Sequence, residues 1–232
     1  MRPFHPVVIV ILLAWLLASC GTFVVHERLD RMPHRVALLS VPRPGHYVVE
    51  QVSPNVLARA SVNFKQADAL FANEGFDVSA SLERTVISDF ARRGIEVVLI
   101  PVRREDPQKF FEDFDRLDLK DVDVVLDLVP TAVGYHFGPY GERSLAHPRP
   151  MLGIRVQAVS AHTRKLVYRD NFGYGYHVSP TQDDYKYVFD DNGALESNPR
   201  LAVAGLEHAA RTVVDYLVRD LARYSDAPNG RN

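Results

Sequence analysis

The chain is short of cysteine. Its 232 residues include one, Cys20. A lone thiol cannot close an intramolecular disulfide, so an apolar core must hold the fold together. Tryptophan is equally scarce, with Trp15 the single example. Charge of one sign is lacking too: 27 basic and 29 acidic side chains leave a formal net charge of −2. That balance provides no cationic surplus for nucleic acid or an anionic lipid surface. No apolar run reaches the roughly 20 residues that span a bilayer comfortably. Repeats and low-complexity tracts are missing. So are the nucleophile elbow G-x-S-x-G, the zinc helix H-E-x-x-H and the phosphate loop G-x-x-x-x-G-K-[ST]. These absences exclude the enzyme classes that announce themselves by a local motif, and no cofactor or metal is expected.

What is present starts at the amino terminus. Met1–His5 is a short, weakly basic head, and Val7–Leu17 (VVIVILLAWLL) is an unbroken apolar run of about eleven residues. Signal-peptide cores run about 7–15 residues. The next residues, Leu17-Ala18-Ser19-Cys20-Gly21, place a branched apolar side chain and two small ones before the cysteine.

This order of head, apolar run and small-small-Cys resembles the lipobox of bacterial lipoprotein precursors, over about twenty residues. The resemblance implies a signal peptide at 1–19 and cleavage just before Cys20. It also implies a diacylglycerol on the Cys20 thiol and acylation of the new amino terminus with a fatty acid such as palmitate. Three acyl chains exceed the two-signal threshold for stable membrane anchoring. An ordinary secretory signal with an incidental cysteine, and an uncleaved membrane anchor, are the competing readings. In the enterobacterial sorting scheme for such lipoproteins, Asp after the cysteine retains the protein in the inner membrane. Gly21 therefore points to the outer membrane, with the domain facing the periplasm.

Removing 1–19 deletes Arg2 and no acidic residue, which leaves 26 basic against 29 acidic side chains. Residues 20–34 read as the lipidated cysteine and a tether. About 14 extended residues reach roughly 45–50 Å. Residues 35–224 then read as one periplasmic domain, and 225–232 as a disordered tail.

Within the domain, Arg35–Val41 reads as a buried strand stopped by Pro42-Arg43-Pro44-Gly45. Pro54–Gly75 allows one or two short helices. Ser81–Arg93 is a helix with Leu82, Val86, Phe90 and Ala91 on one face and Gly94 as its left-handed stop. Glu96–Val102 follows as a strand with almost no polar face. Asp106-Pro107 predicts a cap and first turn for a short helix striped by Phe110, Phe111, Phe114 and Leu117. Asp121–Val129, Gly153–Val159 and Lys165–Phe172 alternate as half-buried antiparallel strands do. In that pattern Val122, Val124, Leu126 and Leu128 share a side, as do Ile154, Val156, Ala158, Leu166 and Tyr168. Asn198-Pro199 opens a long helix to about Tyr224, with Leu206, Ala210, Val213, Val214, Leu217 and Leu221 on its apolar face. The fold class is therefore α/β: a two-layer sandwich of a mixed sheet with helices mainly on one face and a long C-terminal helix. The element order resembles that of small periplasmic lipoprotein domains and of the amino-terminal domain of TolB.

The nine histidines lie more than four residues apart, so none forms a local ligand pair. A site assembled in space from His136, His147, His162 or His177 competes with scattered surface histidines. Asp190-Asp191-Asn192-Gly193 imitates a calcium loop. In that frame Val188 and Pro199 would occupy the first and twelfth ligand positions, so it reads as a turn.

The best candidates for a partner surface are the aromatic, glycine-bearing segments, with Tyr135, Phe137, Tyr140, Tyr174 and Tyr176, plus Arg155 and Arg169 on the polar side of the sheet. The competing reading has the aromatics closing the core edge. Asp127 is expected to pair across strands with Arg155. The function expected is a lipid-anchored binding, assembly or accessory subunit with an envelope protein partner and no nucleic acid. The alternative is a periplasmic hydrolase whose site forms only in the fold.

Overall fold

The computed structural model describes residues 29, 31–51, 61–62, 64–136, 147–175 and 185–226. Cys20 and residues 1–19, where a signal peptide is expected, lie outside them. Among the described residues, seven strands form one mixed sheet. They are β1 (Arg35–Leu39), β2 (Val48–Gln51), β3 (Ser61–Val62), β4 (Glu96–Ile100), β5 (Val124–His136), β6 (Arg149–Ser160) and β7 (Leu166–Tyr174). The helices are α1 (Phe64–Asn73), α2 (Val78–Ala91), α3 (Asn192–Ser197) and α4 (Pro199–Asp226). Among these residues no helix is long and apolar enough to cross a membrane.

β5 organises the sheet. One of its edges pairs antiparallel with β6 along its whole length, and β7 extends that side. Its other edge is shared. Parallel β1 takes the first residues, from Val36↔Val124 to Leu38↔Leu126, and parallel β2 takes Gly134 and Tyr135. β4 lies parallel outside β1, and β3 antiparallel outside β2.

The helices α2 and α4 pack on one side of the sheet. Val78, Leu82, Val86 and Phe90 of α2 meet Leu206, Ala210, Val213, Val214, Leu217 and Leu221 of α4 over Leu126, Leu128, Ile154 and Val156. A smaller cluster on the opposite side gathers Ala37, Leu39, Leu119, Val122, Val125 and Ala161. β1 therefore buries Val36 and Leu38 one way and Ala37 and Leu39 the other, which is why its sequence shows no polar alternation.

Local signals explain the boundaries. The Asp77 side chain accepts from the amides of Ser79 and Ala80, so α2 starts before the expected Ser81. Gly94, at φ 76, ends it: its amide bonds back to Ala91 and that of Ile95 to Phe90. Ala91 itself is exposed. Asp191 caps α3 through the amide of Ala194, which makes the acidic 190–193 stretch a helix start.

Several expectations need correction. β4 lies at the sheet edge, and Leu99 on it is 42% exposed, so its apolar sequence is not a doubly buried one. No helix forms at Pro107. The chain makes a turn at Asp106–Lys109 and then a single 3-10 turn at Phe114–Arg116. The amide of Phe111 is instead taken by the buried Asp127 carboxylate, which holds the segment extended. Val122 joins the smaller cluster, not the one under the helices, because β5 starts only at Val124, after the left-handed Asp121. α4 runs on to Asp226, and Ser225 in it is buried, so the expected tail from 225 starts too early.

Two irregularities in the ladders move side chains between faces. A bulge between Pro130 and Ala132 reverses the parity of β5, so Val133 and Tyr135 turn toward the helices. Proline has no amide to give the ladder, and a bulge is where that defect is tolerated. A second irregularity pairs Tyr168 with Ala158 but Leu166 with Val159. Leu166 therefore joins Val159 on the far side from the helices, while Tyr168 stays under them, against the expectation that both face one way.

Candidate binding face

The sheet side away from α2 and α4 carries the chemistry. Register places Asp127 of β5, Gln157 of β6 and Arg169 of β7 in one row. Arg155 stands one step along on β6, opposite Val129 and Asn171. Residues 103–117 leave the end of β4 and fold across this row.

A buried ion pair fastens that segment. Arg104 donates to both Asp127 oxygens, at 2.6 and 3.1 Å, and the two side chains are 6% and 0% exposed. Asp127 also accepts the Phe111 amide at 2.8 Å and Gln157 Nε2 at 3.4 Å. Gln157 turns its Oε1 to Arg169, which donates at 2.7 Å. Arg104–Asp127–Gln157–Arg169 is therefore a continuous polar chain across three strands. Such a chain fixes geometry, because each member holds the next in one orientation. The expected Asp127–Arg155 pair does not form: cross-strand register gives Asp127 to Gln157, and Arg104 reaches it first from the overlying segment.

Phe110 lies between two cations. The guanidinium carbons of Arg155 and Arg169 sit 5.3 and 5.1 Å from its ring centre. Arg155 also donates to the Gln108 carbonyl, and Arg164 donates to that of Phe114 at 3.1 Å. Phe111 and Phe114 meet edge to face, 5.5 Å between centres, in the smaller apolar cluster. Burial, and then the charge of Arg155, lower the pKa of Arg169.

Two clefts flank the segment and share Lys109 and Arg155. One, of about 700 Å³, runs toward Arg43, His46 and Thr131. The other, of about 450 Å³, is walled by Phe110, Phe114, Val159 and Leu166 with Arg164 and Arg169. Both fall in the size range of ligand sites, about 300–1,000 Å³.

The structure brings Arg155 and Arg169 onto the same Phe110 ring. Tyr135 and Tyr174 go elsewhere. Tyr135 is fully buried under α4, donating to the Ala202 carbonyl at 3.0 Å, so it is a core residue and not a surface one. Gly205 makes room for it, since a Cβ there would lie 2.2 Å from the Tyr135 hydroxyl. Tyr174 is partly buried on the same side, edge-on to His208 at 5.6 Å. Phe137, Tyr140 and Tyr176 lie outside the described residues, as does His177. Among the described residues no three His, Cys, Asp or Glu side chains gather as for a metal. His136 bonds the Gly175 carbonyl and His147 that of Asp190.

Sequence reasoning missed Arg104, Lys109, Phe110 and Arg164. One signal for Arg104 was available. Asp127 interrupts an apolar strand, a charge buried there needs a cation, and Arg103-Arg104 follow β4, the preceding strand in the chain.

The architecture defines a two-layer α/β domain with a covered helical side and a partly covered polar side. No protein-family model matches the chain, and no curated protein matches it in sequence. Among solved structures it is similar to protein XCC0632 from Xanthomonas campestris, at 12% identity over 86% of this chain and 91% of that one, with a TM-score of 0.43. It is also similar to the PelC dodecamer from Paraburkholderia phytofirmans, at 11% identity over 86% and 91%, with a TM-score of 0.37. Lipoprotein GNA1162 from Neisseria meningitidis follows, at 12% identity over 63% and 88%, with a TM-score of 0.27.

Proposed function

We propose that this chain is a lipid-anchored protein of the bacterial cell envelope whose α/β domain works by binding, as an accessory or assembly subunit on the periplasmic side. The anchor reading rests on the segment Leu17-Ala18-Ser19-Cys20-Gly21 behind an apolar run, and Gly21 favours the outer membrane. The observation that carries the binding reading is the polar sheet side. There a buried ion pair holds residues 103–117 in place, and cationic clefts open on either side.

The hydrolase reading has one observation in its favour. His46 bonds Asp68 at 2.8 Å beside the larger cleft, and the Tyr47 amide steadies the carboxylate. That histidine is 61% exposed, and among the described residues Thr131 is the one hydroxyl lining the cleft. A general base needs a nucleophile or water held within hydrogen-bond reach, and this lining supplies neither serine nor cysteine.

Two measurements test the proposal. Mass spectrometry of the membrane-extracted protein is expected to show a chain starting at Cys20 with acyl chains attached, and Cys20→Ala to block that processing. A mature amino terminus elsewhere overturns the anchor. Crosslinking in intact cells is expected to capture an envelope protein partner that Arg155→Glu with Arg169→Glu releases. Full retention of every crosslink clears this side of a binding role.

A further inference from the structure

The smaller cleft is unbalanced in charge. Among the described residues, Lys109, Arg155, Arg164 and Arg169 line it, with Glu112 as the one carboxylate. The whole chain is slightly acidic, so this is a local concentration of positive charge and not a reflection of composition. Lys109 has Asp106 at 3.9 Å. Among the described residues Arg155 and Arg164 have no such neighbour: their hydrogen bonds go to the backbone carbonyls of Gln108 and Phe114. Arg155 Nε is moreover buried without a hydrogen-bond partner. A partly buried guanidinium with no acidic neighbour is costly. An anion beside Arg155 would relieve that cost. Arginine suits that role because its planar fork of donors matches a carboxylate or phosphate.

Apart from Gln157, the rest of the described lining is apolar. Phe110, Phe111, Phe114, Val159 and Leu166 face the same space. A bare inorganic ion would leave that surface wet, whereas an organic body would cover it. The cleft therefore selects for both features in one molecule.

We propose that the cleft of about 450 Å³ between residues 109–114 and strands β6 and β7 binds a compact organic oxyanion, a carboxylate or phosphate on an apolar body. Arg155 and Arg169 hold the oxyanion, and Phe110, Phe114 and Leu166 cover the body. The inference rests on the reading that this domain works by binding, and gives that reading a ligand chemistry. Gln157 is a positioning residue here, because it orients Arg169 through the bond to its Oε1.

The test is calorimetric titration of the full chain in non-ionic detergent at constant ionic strength. The probes are phenyl phosphate, phenylacetate, inorganic phosphate and the neutral phenylacetamide. Phenyl phosphate or phenylacetate is expected to bind at least about ten-fold more tightly than the last two, since one bidentate charge-assisted contact is of that order. Which of the two binds decides between phosphate and carboxylate sources. Arg155→Gln is expected to weaken that binding about ten-fold or more. Phe110→Leu keeps every charge and is expected to weaken phenyl phosphate while leaving inorganic phosphate unchanged. If Arg155→Gln does not fold, Arg155→Lys takes its place, with a smaller loss expected. The inference is overturned if neither organic anion exceeds its controls, or if the folded variants bind as the parent does. Parent protein that ignores the anions yet keeps its Arg155-dependent crosslinks would remove this ligand class and leave the broader binding reading standing.

Discussion

Asp127 accepts hydrogen bonds from Arg104, Gln157 and the Phe111 amide while fully buried. A buried pair of this kind is poor evidence of net stability, because desolvation offsets most of the attraction. Breaking it is a different matter. Asp127→Asn strands the Arg104 guanidinium in a dry site, and a loss of about 3–5 kcal/mol is expected in chemical denaturation. The paired replacement Arg104→Met with Asp127→Leu is expected to restore most of that loss. It would also loosen residues 103–117, which amide exchange would detect. A single Asp127→Asn variant as stable as the parent would mean the pair does not hold the segment. The need for a partner to Asp127 was legible in the sequence. Its identity was not, because Arg104 approaches from an overlying segment and no strand periodicity constrains that approach.

α4 is the element read best from sequence. Its stripe of Leu206, Ala210, Val213, Val214, Leu217 and Leu221 is buried as its period requires, while Arg211 and Arg219 face water. Leu217→Asp is therefore expected to unfold the domain, because it buries an unpaired charge where α4 crosses the sheet. Arg219→Asp removes a surface pair with Asp215, and a change of about 1 kcal/mol or less is expected. Thermal melts of equal depression would show the helix face to be misassigned. Residues 103–117 are the opposite case. Asp106-Pro107 and four spaced apolar residues carry a helix pattern, yet the segment forms only a turn at Asp106–Lys109 and a single 3-10 turn at Phe114–Arg116. Helical hydrogen bonds there lost to a tertiary carboxylate and to the pull of Phe111 and Phe114 into the smaller cluster. The bulges in β5 and β6–β7 were equally hidden, since one inserted residue reverses every later side chain without changing composition.

The whole molecule is expected to be sensitive to alkali. Burial, the largest cause in each case, raises the pKa of Tyr47, Tyr135 and Tyr168 above the usual value of 10.0, and Asp220 adds to the shift at Tyr168 by accepting its hydroxyl at 2.7 Å. A folded-state pKa above the unfolded one means stability that is fully present below about pH 10 and lost as the pH climbs past it. Phenolate absorbance from Tyr47, Tyr135 and Tyr168 is expected to rise only above about pH 10, together with the loss of helical dichroism. Ionisation of all ten tyrosines in one smooth step, with the fold intact, would contradict the burial. At the acid end, Asp123 contributes in the opposite sense. Burial pushes it up, but the amides of Arg35 and His34 outweigh that and hold it below its usual range. Its contribution is present above the unfolded carboxylate range and fades as the pH falls through the lowered value.

Periodicity and composition alone determined the α/β class, the strands β1, β4, β5, β6 and β7, the helices α2 and α4 with the apolar stripe of α4, and the reliance on a core without disulfides. These are local properties: side-chain alternation, helical spacing, capping residues and a count of cysteines all act within a few neighbouring positions. The resemblance of the segment around Cys20 to a lipobox is legible for the same reason, because a contiguous string carries it. Only the tertiary structure decided which cation meets Asp127, that Tyr135 turns inward, that Leu166 turns outward, and that Arg155 and Arg169 close on Phe110. Each of those depends on a bulge, a register or a long-range contact. Their energies come from residues tens of positions apart, brought within a few ångströms by the sheet.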